Sequence, residues 1–364
     1  MNAERLHAIV LSLSQEMSKN NVVGRMEELI NALQRVVNQP HPSHQQSLAQ
    51  SLKAMYAAVT DAPSDNFSPA WRQILREIDG EDMFGNPLKV DIENVFARNQ
   101  ITPAVALEEL QQLHQRLQAF KNALDQISSA LQHFKIGDEK LTPGEAEIGI
   151  LIPRDAVSNQ LLDFAKELKE LSFILNTFSE VATGKKDDLV IRTISSSDLL
   201  IHLQAAAPYA ACLAVSVERV VALYKQLLEI RKLKQEIEKQ GVPDKETTGI
   251  ENYANQLMEK GIEKIAIEVV NEHHKKGDKA RKNELTNAVR ISLRRFANRV
   301  DHGYNIEVRV EPLVKQEGQD KEEPELQGAI AAIQSASRNM QFMKLEGKPI
   351  LSLPEGEEKP QGKE

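Results

Sequence analysis

From Leu110 to Phe134 an apolar residue returns at alternating intervals of three and four: Leu110, Leu113, Leu117, Phe120, Leu124, Ile127, Leu131 and Phe134. On an α-helix, positions three and four apart share one face. The segment therefore predicts a long helix whose ridge lies against other helices. At about 1.5 Å per residue the ridge is roughly 36 Å long. More than three unbroken heptads brings a coiled coil into consideration. With Leu110 at position a, the g positions after Arg116 are Ala123 and Ala130, and the e positions are His114, Lys121 and Ser128. Small residues at g widen the apolar stripe, which suits a bundle inside the chain better than a two-stranded zipper. The e and g residues also lack the charge complementarity that selects a partner. An intermolecular seam stays open, with Leu110, Leu113, Leu117, Phe120, Leu124, Ile127 and Leu131 as its interface residues.

Upstream, three shorter stripes predict helices: Leu6, Ile9, Val10 and Leu13; Met26, Leu29, Ile30, Leu33 and Val37; and Leu48, Leu52, Met55, Tyr56 and Val59. Proline-bearing loops at 38–43 and 61–65 separate them, and Ser68-Pro69 opens a further short helix carrying Trp71 and Leu75. Residues 80–87 read as another loop.

After residue 144 the period changes. Ile148, Ile150 and Ile152 alternate with Glu147, Gly149 and Leu151, and Pro153 ends the strand. A helix over 158–182 follows. A hairpin of 189–194 and 199–203 then flanks the polar turn Ser195-Ser196-Ser197-Asp198. One long helix is expected over 208–240, apolar in its first half and charged in its second, with Leu227 and Ile230 as a possible self-association stripe. Helices over 251–275 and 279–300 precede a strand in which Tyr304, Ile306, Val308 and Val310 alternate with polar residues. The expectation is a predominantly helical α+β chain: an N-terminal helical bundle, then a small, mainly antiparallel sheet covered by long helices. The domains would be 1–138, 139–312 in the order β-α-β-β-α-α-α-β, and a polar, largely flexible tail over 313–364 with one weak helix near 325–340.

Composition narrows the function classes. The 364 residues carry 53 acids against 45 bases, a net charge of −8, which argues against a surface built broadly for nucleic acid. A single cysteine, Cys212, leaves no disulfide framework and no cysteine zinc site. Glu4 and Arg5 interrupt the N-terminus, and no uncharged apolar run reaches ~18 residues, so neither a secretory leader nor a membrane span is expected. The expected setting is the cytoplasm, with no membrane partner.

No catalytic or cofactor fingerprint emerges. Lys185 and Lys186 follow Gly184, but no P-loop surrounds them, and Gly-x-Ser-x-Gly, His-Glu-x-x-His and Gly-x-Gly-x-x-Gly are missing. Cys212 sits among alanines with no charge to activate it, which reads as structural. Glu268, Glu272, His273 and His274 could supply metal ligands, but the two histidines diverge by about 100° on a helix and lysines follow them. A solvated helix end explains them better.

Lys275, Lys276, Lys279, Arg281, Lys282, Arg290, Arg294, Arg295 and Arg299 form the densest basic stretch, a candidate phosphate-backbone contact. Arg290 with Arg294, and Arg295 with Arg299, border an apolar arc of Leu285, Val289, Leu293, Phe296 and Val300. Arginines so placed usually bury their stems and pair with acids. The leading expectation is a non-catalytic adaptor or scaffold, with protein partners and self-association, and no cofactor. The alternatives are a nucleic-acid-binding accessory protein using 275–299 and an enzyme with a nonstandard site near Arg154, Arg192 and His202.

Overall fold

A computed structural model describes residues 3–138, 141–195, 199–274, 278–313 and 324–356. Two compact units divide at 140/141, each with its own apolar core.

The first unit is all helical: α1 (Ala3–Lys19), α2 (Val22–Asn38), α3 (Pro42–Val59), α4 (Pro69–Glu77), α5 (Gly85–Arg98) and α6 (Pro103–His133). Proline stands at the first turn of α3, α4 and α6, where its missing N–H costs nothing. Ser68 caps α4 by accepting the Trp71 N–H at 3.4 Å. Helix α5 was not anticipated. It opens on Gly85 at φ 51, inside the segment 80–87 that reads as a loop. A Cβ on Gly85 would stand 2.3 Å from the Asp65 carboxylate, so the turn needs glycine twice over.

The seam helix α6 lies on α1 and α2. Leu110, Leu113, Leu117 and Leu124 are buried in the unit's own core, and Phe120 packs edge-on against Phe84 at 5.7 Å. These five positions are therefore intramolecular, and as interface residues they are corrected. Polar ties fix the register: the Ser14 hydroxyl donates to Asp125 at 2.7 Å, and His7 Nδ1 lies 2.8 Å from the Ile136 carbonyl. The seam is not uniform. Its last heptad emerges, with Ile127 40% exposed, Leu131 half-buried and the adjoining Phe134 72% exposed.

The second unit comprises β1 (Ala146–Ile152), α7 (Leu161–Thr183), β2 (Val190–Ile194), β3 (Leu199–Ala205), α8 (Ala207–Lys225), α9 (Leu228–Lys239), α10 (Asp244–His273), α11 (Lys279–Asp301), β4 (Asn305–Val310) and α12 (Pro324–Asn339). The sheet order is β2-β3-β1-β4, antiparallel throughout. The chain is a predominantly helical α+β protein.

Three expectations for this unit are corrected. The single helix over 208–240 is two helices, because the chain tightens into i→i−3 bonds at Gln226 and Leu227. The turn buries Leu227 completely and leaves Ile230 half-buried against the core, so neither forms an interface stripe. The polar face of β4 is covered as well as the apolar one: Asn305 and Glu307 are buried. Of the tail over 313–364, residues 314–323 and 357–364 lie outside the described residues, and the stretch 324–356 is not merely polar and flexible. Helix α12 packs on α8 and β4, and Ile330, Ile333, Ile350, Leu351 and Leu353 join the core. Those few aliphatic residues are diluted by Gly, Pro, Glu and Lys, and composition alone therefore hid their burial.

Helix α8 is apolar and long enough to cross a bilayer by length and composition, but 67% of its most apolar window is buried in this fold. It is the central core helix, carrying Tyr209, Leu213, Val217, Val220 and Tyr224 inward.

Candidate functional site

The face of the sheet opposite the isoleucines carries charge, and the antiparallel register dictates its arrangement. Gly149 on β1 stands between His202 on β3 and Glu307 on β4, and Glu147 stands between Gln204 and Arg309. Glu147, His202 and Glu307 are 1%, 1% and 2% exposed. His202 Nδ1 lies 3.3 Å from Glu147 Oε1 and Arg309 Nη2 lies 3.5 Å from the same oxygen, while Arg192 Nε is 3.6 Å from Oε2. Arg192 also donates to Glu145 at 2.5 Å. Burial works to raise the Glu145 carboxyl, but hydrogen bonds from the Thr142 N–H and hydroxyl, together with Arg192, outweigh it and hold the group below its ordinary value.

Gly149 makes the row possible. An added Cβ would meet Glu307 Cγ at 2.8 Å and His202 Cε1 at 3.1 Å. Gly149→Ala is accordingly expected to cost about 1–3 kcal/mol by forcing buried side chains off their rotamers. Chemical denaturation checks this, and a variant as stable as the parent would show that the row has slack.

Arg192 and His202, two of the three residues named from sequence, thus meet across Glu147. Arg154 does not join them. It is exposed beyond the far end of β1 and donates to Asn159 at 3.0 Å. Glu145, Glu147, Glu307 and Arg309 were missed as site residues. Their alternation on β1 and β4 was visible, but which strands lie side by side was not. Chemically the cluster is a histidine among carboxylates with two arginines, a set able to relay protons where a substrate can reach it. An open cleft of about 520 Å³ lies between α7 and α11, lined by Phe173, Asn176, Thr177, Glu180, Arg281 and Ile291 among others, and by none of the cluster's residues.

The basic helix α11 is largely spent on internal pairing. Arg281 meets Glu180 and Glu284, Arg294 meets Glu259, and Arg299 meets Glu167 at 2.6 Å. Arg295 pairs with Glu170 at 2.7 Å and stacks over Phe173 at 4.4 Å. Arg294 and Arg299 are buried, so their role is to join α11 to α10 and α7. Lys279, Lys282 and Arg290 carry no ion pair among the described residues, and Lys275 and Lys276 lie outside them.

Glu268 and Glu272 both turn to Arg219, at 3.6 and 2.9 Å, instead of converging with the neighbouring histidines. His274 Nδ1 lies 3.3 Å from the Val181 carbonyl. Among the described residues no three His, Cys, Asp or Glu side chains are placed to hold a metal. Cys212 is fully buried, and burial pushes its thiol well above the ordinary range, the opposite of an activated nucleophile. In the polar turn of the hairpin, the Ser195 N–H donates to the Leu200 carbonyl at 2.9 Å, and Ser196, Ser197 and Asp198 lie outside the described residues.

A second buried polar centre sits where α8, α9 and α11 meet. Asp301 receives the Tyr224 hydroxyl at 2.6 Å and Arg231 Nη1 at 2.6 Å. All three residues are buried. Burial first, then the Asp301 charge, pushes the Tyr224 phenol far above its usual range, so it stays a neutral donor.

Comparison with known proteins gives no match: no family model, curated protein or solved structure is similar to this chain.

Proposed function

We propose that this chain is a non-catalytic adaptor or scaffold of the cytoplasm, acting through protein–protein contacts and associating with itself. The observation that supports the reading is the emergence of the α6 seam. Ile127, Leu131 and Phe134 follow one another at i, i+4 and i+7, continuing the same apolar stripe after its inner half has been buried. Covering a large aliphatic or aromatic side chain is worth roughly 1.5–3 kcal/mol. A heptad stripe is also self-complementary, since the same knobs and holes recur on both copies of a two-fold contact. The occupant of this stripe is therefore a second copy of α6. The charged clusters support the same reading from the other side: Glu147, Asp301 and, on α11, Arg281, Arg294, Arg295 and Arg299 have their charges met by neighbours within their own unit.

Light scattering coupled to size exclusion tests the proposal. The intact chain is expected to exceed its monomer mass of 40.8 kDa. The double variant Ile127→Glu, Phe134→Glu is expected to return to that mass with its helical circular dichroism unchanged. An intact chain that stays monomeric at every concentration removes self-association from the function.

A further inference from the structure

Residues 340–356, which follow α12, form no helix or strand, yet Ile350, Leu351 and Leu353 are buried. It is held by its main chain. One carboxylate oxygen of Asp301 accepts the N–H groups of Ile350 and Leu351, each at 2.6 Å. Asn298, one turn earlier on α11, donates to the Leu353 carbonyl and accepts the Leu353 N–H, both at 3.0 Å. Asn255 on α10 accepts the Ser352 N–H at 2.8 Å. Arg231 on α9 donates to the carbonyls of Glu346 at 2.8 Å and Gly347 at 2.6 Å. Arg295 grips the Glu355 carbonyl through two nitrogens, at 2.9 and 2.8 Å.

A side-chain amide that gives to and takes from one residue's backbone reproduces the exchange of a β-ladder. Such contacts read an extended backbone and ignore the side chains along it. Selectivity is left to the three aliphatic residues that enter the core and to Glu355, whose carboxylate accepts from Asn298 Nδ2 at 2.9 Å and lies 3.9 Å from Arg299. The receiving groups are also positioned by bonds that do not involve the segment: Asp301 by Tyr224 and Arg231, and Arg295 by Glu170 and Phe173. Preorganised groups of this kind lower the ordering cost of binding. At the entry, Gly347 adopts φ 76, and a Cβ there would press on Gln235 at 3.2 Å, so the chain turns sharply into the groove.

We propose that the groove formed by α9, α10 and α11 is a binding site for an extended peptide, and that residues 345–356 are its resident ligand. The partner it fits in trans is an extended segment with aliphatic side chains at the positions of Ile350, Leu351 and Leu353 and a carboxylate at that of Glu355, with a turn-tolerant residue at the entry. A tethered resident competes at an effective concentration on the order of millimolar, so the intact chain takes a free peptide weakly. This site lies wholly in the second unit and does not depend on the α6 stripe.

The test uses the full chain carrying Leu351→Asp and Leu353→Asp, which expels the resident, and a fluorescein-labelled peptide of the native sequence 345–356. Fluorescence anisotropy is expected to give binding at least about tenfold tighter to this variant than to the intact chain. Adding Asn298→Ala to the receiver, or N-methylating the peptide at Leu351, is expected to weaken binding by roughly fivefold or more, the worth of a lost main-chain hydrogen bond. Three results overturn the proposal: a folded variant that does not bind, an N-methylated peptide that binds as well as the parent, or a variant whose second unit no longer melts cooperatively, which would make the segment fixed core.

Discussion

Leu117→Glu is expected to unfold the first unit. Leu117 is fully buried, in the part of α6 that rests on α1 and α2. A carboxylate at that position would lose its water without gaining a cation, and an uncompensated buried charge costs several kcal/mol. The leucine's own packing is lost as well; Leu117→Ala alone is expected to cost about 2–5 kcal/mol. A domain's entire stability is only about 5–15 kcal/mol, so the glutamate variant exhausts it. Ile127→Glu, one heptad and a half along the same helix, is expected to stay within about 0.5 kcal/mol of the parent, as exposed substitutions do. Hydrogen exchange over α1, α2 and α6 checks the pair: protection lost with Leu117→Glu and kept with Ile127→Glu. Equal effects at the two positions would mean that the seam has one environment throughout, contrary to its observed emergence.

Asp301→Ala is expected to destabilise the second unit by about 3–5 kcal/mol, because it leaves Arg231 charged and buried without its counter-ion. The same change strips the acceptor from Tyr224 and from the N–H groups of Ile350 and Leu351. Its effect therefore has a local signature: exchange at 350–353 should rise more than elsewhere in the unit. Combining Arg231→Met with Asp301→Leu is expected to cost less than the two single changes added together, since no orphaned charge remains. A urea series on the four chains measures the coupling. Strict additivity would show that Arg231 and Asp301 act independently, which their 2.6 Å contact forbids.

What could be read from the sequence followed from periodicity. The 3,4 spacing located α6, and alternation located β1, β3 and β4 within a residue or two of their ends. Periodicity reports which face of an element is apolar; it does not report what lies opposite. The polar positions of β1 and β4 thus suggested solvent, and only the pairing of β1 between β3 and β4 turned Glu147, His202, Glu307 and Arg309 into one buried cluster. The arginines of α11 were legible for the same reason in reverse. Their place at the borders of an apolar arc required buried stems, and Glu167, Glu170 and Glu259 then met their heads. Burial of the C-terminal segment left no periodic trace, because an extended chain bound through its backbone needs only three aliphatic side chains. The break between α8 and α9 was equally silent. Residues 226–227 contain neither glycine nor proline, and the turn exists because Leu227 and Arg231 are drawn inward to the core and to Asp301.

The central claim is that copies of the chain meet through the emergent end of α6, and a spin label measures that contact directly. Cys212 is buried, so Ala130→Cys offers one accessible thiol beside Ile127 and Phe134. Pulsed dipolar spectroscopy on the labelled chain is expected to show a defined label-to-label distance between copies, abolished when Ile127→Glu and Phe134→Glu are added. A coupling that survives those two charges, or no coupling at all in the parent, would contradict the account.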